Sequence, residues 1–145
     1  MAEKRVLPEE QRNGVVVVED DASVSRAIQR LLDADGFSAI AFPSAEALLK
    51  TRAVTTAACL ILDIGLPGLS GFELYQQLLE AGAKLPVIFI TGGDRPSGAK
   101  QARKLGAIAY LLKPFPEQEL VDAVTRALSL GQSTRRDFRY LSGAA

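Results

Sequence analysis

The chain has 145 residues, of which 48% are hydrophobic and 23% are charged, and this composition is typical of one soluble domain. Seventeen basic residues balance seventeen acidic residues, so no overall field attracts the chain to nucleic acid or to an anionic membrane. The absence of histidine excludes Ser-His and Cys-His catalysis and most zinc sites. No apolar run reaches the roughly eighteen residues of a membrane span, and Cys59 is the only cysteine, so we expect a cytoplasmic protein without an internal disulfide.

The first unit of the chain predicts a strand followed by a helix. Residues 1–13 are polar and predict an arm outside the domain. Gly14–Val18 is a continuous apolar run that predicts the first strand, and either Asp21 or Ser23 can cap the helix that follows. Gly36 is placed to end this helix. One helix face is apolar and consists of Val24, Ile28, Leu31 and Leu32.

The second and third units repeat this pattern. Residues 37–42 predict the second strand, and Pro43 and Ser44 predict the start of a short helix. Residues 57–62 predict the third strand, which ends in Asp63. The loop after it is rich in turn residues, namely Pro67, Gly68 and Gly71. The next helix carries apolar residues at helical spacing, namely Phe72, Tyr75, Leu78 and Leu79.

The last two units complete the domain. Residues 85–90 and 108–112 predict the fourth and fifth strands. The helix at 96–105 has a thin apolar stripe of Ala99, Ala102 and Leu105, so we expect it to be the least firmly held helix. The final helix is expected to be buried through Leu120, Val121, Val124 and Leu128. Gly131 is expected to end this helix and the domain, which leaves 132–145 as a tail or the start of a linker.

The strands predict one class of sheet. Continuous apolar runs, rather than alternating ones, indicate strands that are covered by helices on both faces, as in parallel sheets. Short connections and right-handed crossovers then favour an α/β fold. We expect a doubly wound five-stranded parallel sheet of order 2-1-3-4-5, formed by residues 14–131.

Polar side chains follow four of the predicted strands, and parallel strands bring them to one edge of the sheet, where open α/β sheets bind ligands. These side chains are Glu19, Asp20, Asp63, Thr91 and Lys113. The three carboxylates repel one another unless a cation lies among them, and oxygen ligands suit Mg²⁺. Lys113 and Thr91 offer a charge and a hydroxyl that suit phosphoryl oxygens. Asp63, followed by a glycine-rich loop, is the expected nucleophile, which would form an acyl phosphate.

The chain resembles the receiver domain of bacterial two-component response regulators, of the single-domain type and with a flavodoxin-like fold. The resemblance spans about residues 15–130 and rests on four motifs in order. They are Val-Val-Val-Glu-Asp-Asp at 16–21, Leu-Asp-Ile-Gly-Leu-Pro-Gly at 62–68, Ile-Thr-Gly at 90–92 and Leu-Lys-Pro-Phe at 112–115.

The resemblance implies a role for each acidic residue at the sheet edge. Asp63 would accept a phosphoryl group from a histidine kinase or a histidine phosphotransfer protein. Mg²⁺ would be held by Glu19, Asp20 and Asp63, with the backbone carbonyl of Gly65 as a further ligand. Asp21, one residue beyond the acidic pair, is expected to cap a helix instead.

The resemblance also implies a phosphate-sensing switch. Thr91 and Lys113 would contact the phosphoryl oxygens, Tyr110 would be the switch aromatic, and the Lys113-Pro114 peptide would be cis. Gly65 and Gly93 stand two residues after Asp63 and Thr91, where receivers often carry side chains that tune the lifetime of the acyl phosphate, and neither glycine can block or orient water there.

Output is expected through protein contacts of the face formed by residues 96–128, with a partner protein or a second copy of the chain. We expect no enzyme activity beyond self-catalysed phosphorylation and autodephosphorylation, and no contact with nucleic acid or membrane within this chain. One alternative is the receiver half of a longer DNA-binding regulator. Another is an aspartyl-phosphate phosphatase, but such enzymes need a second acid at the position of Gly65.

Overall fold

A computed structural model describes the backbone of residues 14–93 and 96–144, and the side chains of these residues up to 130 except Pro96. The polar arm predicted at 1–13 lies outside the described residues. The strands are β1 (Gly14–Val18), β2 (Ser38–Phe42), β3 (Cys59–Asp63), β4 (Val87–Thr91) and β5 (Ala109–Leu112). The helices are α1 (Ala22–Ala34), α2 (Ala45–Leu49), α3 (Gly71–Glu80), α4 (Pro96–Lys104) and α5 (Glu117–Ala144).

The five strands form one parallel sheet of order β2-β1-β3-β4-β5, which confirms the predicted topology. Successive residues of a strand point to opposite faces of the sheet. In β3, Leu60 and Leu62 therefore join the core beneath α2, α3 and α4. Cys59 and Ile61 join the second core, beneath α1 and α5. All five residues of β3 are buried, as expected for the central strand of a sheet with two covered faces.

The helix starts follow the capping residues of the sequence. The Asp21 carboxylate accepts hydrogen bonds from the backbone N–H groups of Ser23 and Val24 at 2.9 and 3.2 Å, so Asp21, not Ser23, caps α1. Ser44 caps α2, and the side chain of Ser70 forms a reciprocal capping box with Glu73 at the start of α3.

The structure differs from the sequence expectations at two places. A short 3₁₀ helix, Ala53–Thr56, precedes β3, so the third strand begins at Cys59 rather than at residue 57. Helix α5 passes Gly131 and runs to Ala144, so the helix end predicted at Gly131 is wrong. A glycine inside a helix costs only about 1 kcal/mol relative to alanine, which is too little to end a helix by itself. The domain boundary at residue 131 stays a prediction. In the described part of the chain, no helix combines the length and hydropathy needed to cross a bilayer.

Candidate functional site

Three polar side chains are buried among the described residues, and all three lie at the carboxyl ends of adjacent central strands. Glu19 follows β1 and is 2% exposed, Asp63 ends β3 and is 4% exposed, and Thr91 ends β4 and is 3% exposed. Buried carboxylates need compensating partners, because desolvation disfavours their charged form. The strand ends therefore form one connected polar site, as the sequence predicts.

The carboxylates of Glu19, Asp20 and Asp63 form a compact acidic cluster. Each contributes an oxygen atom, and these atoms lie within 4.8 Å of one another. The backbone N–H of Gly65 donates to Asp63 Oδ1 at 2.9 Å, and that of Asp21 donates to Glu19 Oε2 at 3.0 Å. Asp20 is exposed and leaves the cluster open to solvent on one side. A hard divalent cation that keeps some of its water fits this set of oxygen donors.

Lys113 supplies the positive charge nearest to this cluster in the structure. Its Nζ lies 2.7 Å from Glu19 Oε1 and 3.1 Å from Asp63 Oδ2. Burial would lower the pKa of Lys113, but its contacts with Glu19 and Asp63 outweigh burial and raise that pKa. Burial also raises the pKa of Glu19, in spite of the ammonium group beside it. The lysine therefore stays charged at neutral pH and links two strand ends.

A cavity of about 480 Å³ opens beside the carboxylate of Asp63. Thr91 and Lys113 line it together with Asp63, and Gly65 and Gly93 leave its approaches without side chains. The hydroxyl of Thr91 donates to the carbonyl oxygen of Gly93 at 2.9 Å and accepts from the N–H of Gly93 at 3.1 Å. A methyl group at Gly65 would lie 3.5 Å from Asp63 Oδ1. The cavity has the size, the charge and the hydroxyl group to hold a small anion against Asp63.

Tyr110 lies on β5 and packs against the core beneath α3 and α4. Its phenol oxygen lies directly against Gly98 of α4, at the place where a larger residue would carry its Cβ. The sequence predicts Tyr110 as a switch residue, but nothing in the spacing marks Gly98 as its contact. The Lys113-Pro114 peptide that follows β5 is cis, as expected.

The family model of the response regulator receiver domain matches residues 15–125. The chain belongs to this family.

Two curated relatives and one solved structure illustrate the similarity of this receiver domain to known proteins. Nodulation protein W of Bradyrhizobium diazoefficiens is 42% identical over 122 residues, which are 83% of this chain and 53% of the relative. Transcriptional regulatory protein TdiR of Thauera aromatica is 41% identical over 119 residues, which are 81% of this chain and 52% of the relative. The structure of response regulator StyR superposes with a TM-score of 0.81 at 39% identity, covering 90% of this chain and 66% of that one. The chain thus spans about half the length of the curated relatives it matches.

The structure brings together most of the residues that the sequence predicts for the receiver site. Asp63, Thr91 and Lys113 share one cavity, and Glu19 and Asp20 form the acidic cluster with Asp63. Gly65 lies beside Asp63, through its N–H, while the role of its carbonyl oxygen stays a prediction. Sequence analysis missed two contacts near this site: the contact of Tyr110 with Gly98, and the hydrogen bond from the backbone N–H of Leu69 to the carboxylate of Glu46. In each case the two partners are distant in sequence.

Proposed function

We propose that this receiver domain is a phosphoacceptor in which Asp63 takes a phosphoryl group from a histidine kinase or a histidine phosphotransfer protein. An oxygen of the Asp63 carboxylate attacks phosphorus, the P–N bond of the phosphohistidine breaks, and the imidazole nitrogen keeps the bonding electrons. The product is an acyl phosphate on Asp63. The observation that supports this proposal is the cavity in which Asp63, Thr91 and Lys113 meet.

Residues around Asp63 are placed to handle the charge of the transferred group. Lys113 already contacts Asp63 and can turn toward phosphoryl oxygens, and the Thr91 hydroxyl can exchange its contact with Gly93 for one with the phosphate. Mg²⁺ would be held by Glu19, Asp20, Asp63 and the carbonyl of Gly65, and its charge would offset the negative charge that develops in the transfer.

An apolar cavity of about 560 Å³ adjoins this site and supports a protein as the phosphodonor. It lies between α1 and the segment after β5, and its walls include Ile28, Leu31 and Phe115. Gly92 and Lys113 line both cavities, so a protein seated here would reach the opening above Asp63. Free, buried Cys59 and the proposed phosphodonors both fit a cytoplasmic protein.

Intact mass after incubation with acetyl phosphate and Mg²⁺ tests the proposal. We expect the chain to gain one phosphoryl group, and Asp63→Asn to abolish the gain. Asp21→Asn is the matched control, because Asp21 caps α1 and an asparagine can keep that cap. A phosphoryl group on the Asp63→Asn chain would contradict the assignment. A wild-type chain that gains no phosphoryl group would contradict it as well.

The proposed role is that of a signalling module, with self-catalysed phosphorylation and autodephosphorylation as its only chemistry. Gly65 stands where an aspartyl-phosphate phosphatase would need its second acid. We expect no turnover of an external phosphomonoester in the presence of Mg²⁺, and steady release of phosphate from such a substrate would establish the phosphatase alternative.

The output surface is proposed to be the face of residues 96–128, met by a partner protein or a second copy of the chain. Leu112 on this face is 42% exposed, and α4 buries only small residues in its described part. Sedimentation of the phosphorylated and unphosphorylated chain tests for a dimer. A rise in molecular mass on phosphorylation, reversed by a charged substitution at Leu112, would support self-association through this face.

The second candidate function is the receiver unit of a longer DNA-binding regulator. It is favoured by the relatives, of which the matched residues make up only 53% and 52%, and which include one named a transcriptional regulatory protein. An antibody against this domain distinguishes the two in extracts of the source cells. A band at the size of 145 residues would support a stand-alone receiver, and a clearly larger band, near the size of these relatives, would support the regulator.

A further inference from the structure

The loop 64–70 joins Asp63 to α3 and forms part of the cavity wall through Gly65 and Ser70. Contacts with neighbouring residues hold its two ends. The N–H of Ile64 donates to the carbonyl oxygen of Ile90 at 2.9 Å, and Ser70 begins α3 with its capping box. Between these ends lies a turn that neither of these contacts holds in place.

Gly68 is the centre of this turn, with φ at +73°, a conformation that glycine adopts without strain. The carboxylate of Glu46, in the first turn of α2, lies against it. Glu46 Oε2 accepts a hydrogen bond from the backbone N–H of Leu69 at 3.1 Å, and a Cβ at Gly68 would lie 3.0 Å from the same oxygen. The other side-chain hydrogen bonds of this loop within the described residues come from β3 and α3, the two elements that it connects. The bond to Glu46 is the one that joins the loop to a third element, α2.

The backbone that carries Glu46 is fixed, although its carboxylate is exposed. Ala45 and Leu48, on either side of it in α2, are fully buried in the core beneath that helix. Ser44 caps the same helix by accepting from the N–H of Ala47 at 3.0 Å. The hydrogen bond therefore ties the loop to a helix that is anchored in the core.

We propose that Glu46 is a positioning residue that holds the loop 64–70 in the conformation in which Gly65 and Asp63 receive the divalent cation. The inference rests on the proposed function and concerns how its metal site is kept in shape. Glu46 acts through Leu69 and touches neither the cation nor the transferred group. Loss of the bond leaves the fold intact and lets the loop sample other shapes, so the bound shape becomes a smaller fraction of the population.

Amide hydrogen exchange of the metal-free chain, read by NMR, tests the contact itself. We compare Glu46→Ala, Glu46→Gln and the matched control Glu119→Ala, an exposed first-turn glutamate of α5 whose side chain forms no hydrogen bond or ion pair within the described residues. Hydrogen bonds to charged groups contribute about 1.5–3 kcal/mol, and less when exposed, so exchange at Leu69 should accelerate about three- to tenfold in Glu46→Ala. Unchanged exchange at Leu69, or the same acceleration in Glu119→Ala, would overturn the inference.

Titration with MgCl₂ alone, followed by amide chemical shifts without any phosphodonor, tests the positioning role. The Mg²⁺ concentration at half-saturation should rise about threefold in Glu46→Ala and return to that of the wild type in Glu46→Gln, which keeps an acceptor oxygen. The thermal midpoint of Glu46→Ala should match that of Glu119→Ala. Equal Mg²⁺ affinity in all chains, or Glu46→Gln behaving like Glu46→Ala, would overturn the proposal.

The two experiments separate this inference from the proposed function. A wild-type chain that binds no Mg²⁺ and accepts no phosphoryl group contradicts the phosphoacceptor role, whereas the exchange at Leu69 is measured without metal and still decides whether Glu46 holds the loop.

Discussion

Gly71 at the start of α3 and Gly98 in α4 are both buried, but they face different kinds of neighbour. A methyl group on Gly71 would lie 2.5 Å from the carbonyl oxygen of Asp63 and 3.0 Å from Cα of Ile64. A methyl group on Gly98 would meet the phenol ring of Tyr110, with Cζ at 3.0 Å. The first contact is with backbone of the central strand, which cannot move alone. The second is with the end of a side chain, which can rotate.

The packing around the two glycines also differs, because α3 is buried by large side chains and α4 is not. Helix α3 buries Leu74, Tyr75 and Leu78, and the Tyr75 hydroxyl donates to the carbonyl oxygen of Leu85 at 2.7 Å. In the described part of α4, residues 97–104, only Gly98 and Ala102 are buried. We therefore call β3 and α3 the fixed side and α4 and β5 the adjustable side. Asp63 stands on the fixed side, and Tyr110 on the adjustable side.

This difference explains how one domain can combine accurate chemistry with a movable surface. A phosphoacceptor needs its carboxylate held in place, because small displacements of reacting groups are costly. A switch needs an element whose two arrangements differ little in free energy, and thin burial supplies one. The predictions below test whether the two sides respond as differently as their contacts indicate.

Gly71→Ala should have the largest effect on stability. Its added methyl group overlaps backbone of Asp63 and Ile64, so we expect the free energy of unfolding to fall by about 3 kcal/mol. Urea unfolding measures the loss. Gly93→Ala is the control, since its methyl group would meet nothing within 4 Å. A loss in Gly71→Ala no larger than in Gly93→Ala would show that β3 and α3 separate easily.

Gly98→Ala should change conformation more than stability. The methyl group displaces the ring of Tyr110, while alanine gains up to about 1 kcal/mol of helix propensity over glycine. We expect a net stability change within about 1 kcal/mol and a large shift of the Tyr110 ring signals in NMR spectra. In a Tyr110→Ala background the same substitution should become stabilising. Unmoved ring signals would place the adjustment in α4 instead of in Tyr110.

The fixed side is also the side that the sequence predicts best. The continuous run that ends in Asp63, and the residues Ser70 and Glu73 of the capping box, are local signals, and a local signal needs no knowledge of distant contacts. The convergence of Glu19, Asp63 and Lys113 follows from parallel topology alone.

The rest of the site depends on contacts between elements. That Lys113 lies between two carboxylates, that Glu46 reaches Leu69, and that Gly98 receives Tyr110 are results of packing between segments far apart in sequence. Gly131 shows that a local signal can also mislead. Glycine often ends a helix, but α5 continues through this position.

Glu19→Gln should reveal an electrostatic cost in the acidic cluster that Glu19, after β1, forms with Asp63 of the fixed side. Burial raises the pKa of Glu19 above its ordinary value of 4.5, with Asp63 acting in the same direction and Lys113 against it. The folded chain therefore holds the Glu19 proton to higher pH than the unfolded chain does. The stability contributed by this proton is fully present below pH 4.5 and is lost as pH rises through the folded pKa.

The glutamine variant lacks this loss, so its stability relative to wild type should increase from pH 4.5 toward neutral pH in metal-free buffer. Urea unfolding at several pH values measures the difference. A difference that does not change with pH would mean that Glu19 titrates alike in both states. The same variant should bind Mg²⁺ more weakly, which would place stability and function in opposition at this residue.

Cys59 offers a further comparison of the two sides, because it is the fully buried first residue of β3 and reacts only when the native structure opens. Burial raises the pKa of its thiol from 9.0 to about 12, so at pH 8 only about one folded thiol in ten thousand is a thiolate. Alkylation at pH 8 therefore requires opening of the fixed side.

Gly71→Ala, if it costs about 3 kcal/mol, should accelerate labelling of Cys59 about 100-fold. Gly98→Ala should change the labelling rate by no more than about fivefold, the range that a stability change of about 1 kcal/mol allows, since moving Tyr110 does not expose β3. As pH rises from 9 toward 12 the unfolded thiol ionises first, so stability falls and labelling should accelerate in every variant. Equal labelling of the two glycine variants at pH 8 would show that the two substitutions affect the opening of β3 alike, and the distinction between a fixed and an adjustable side would not hold.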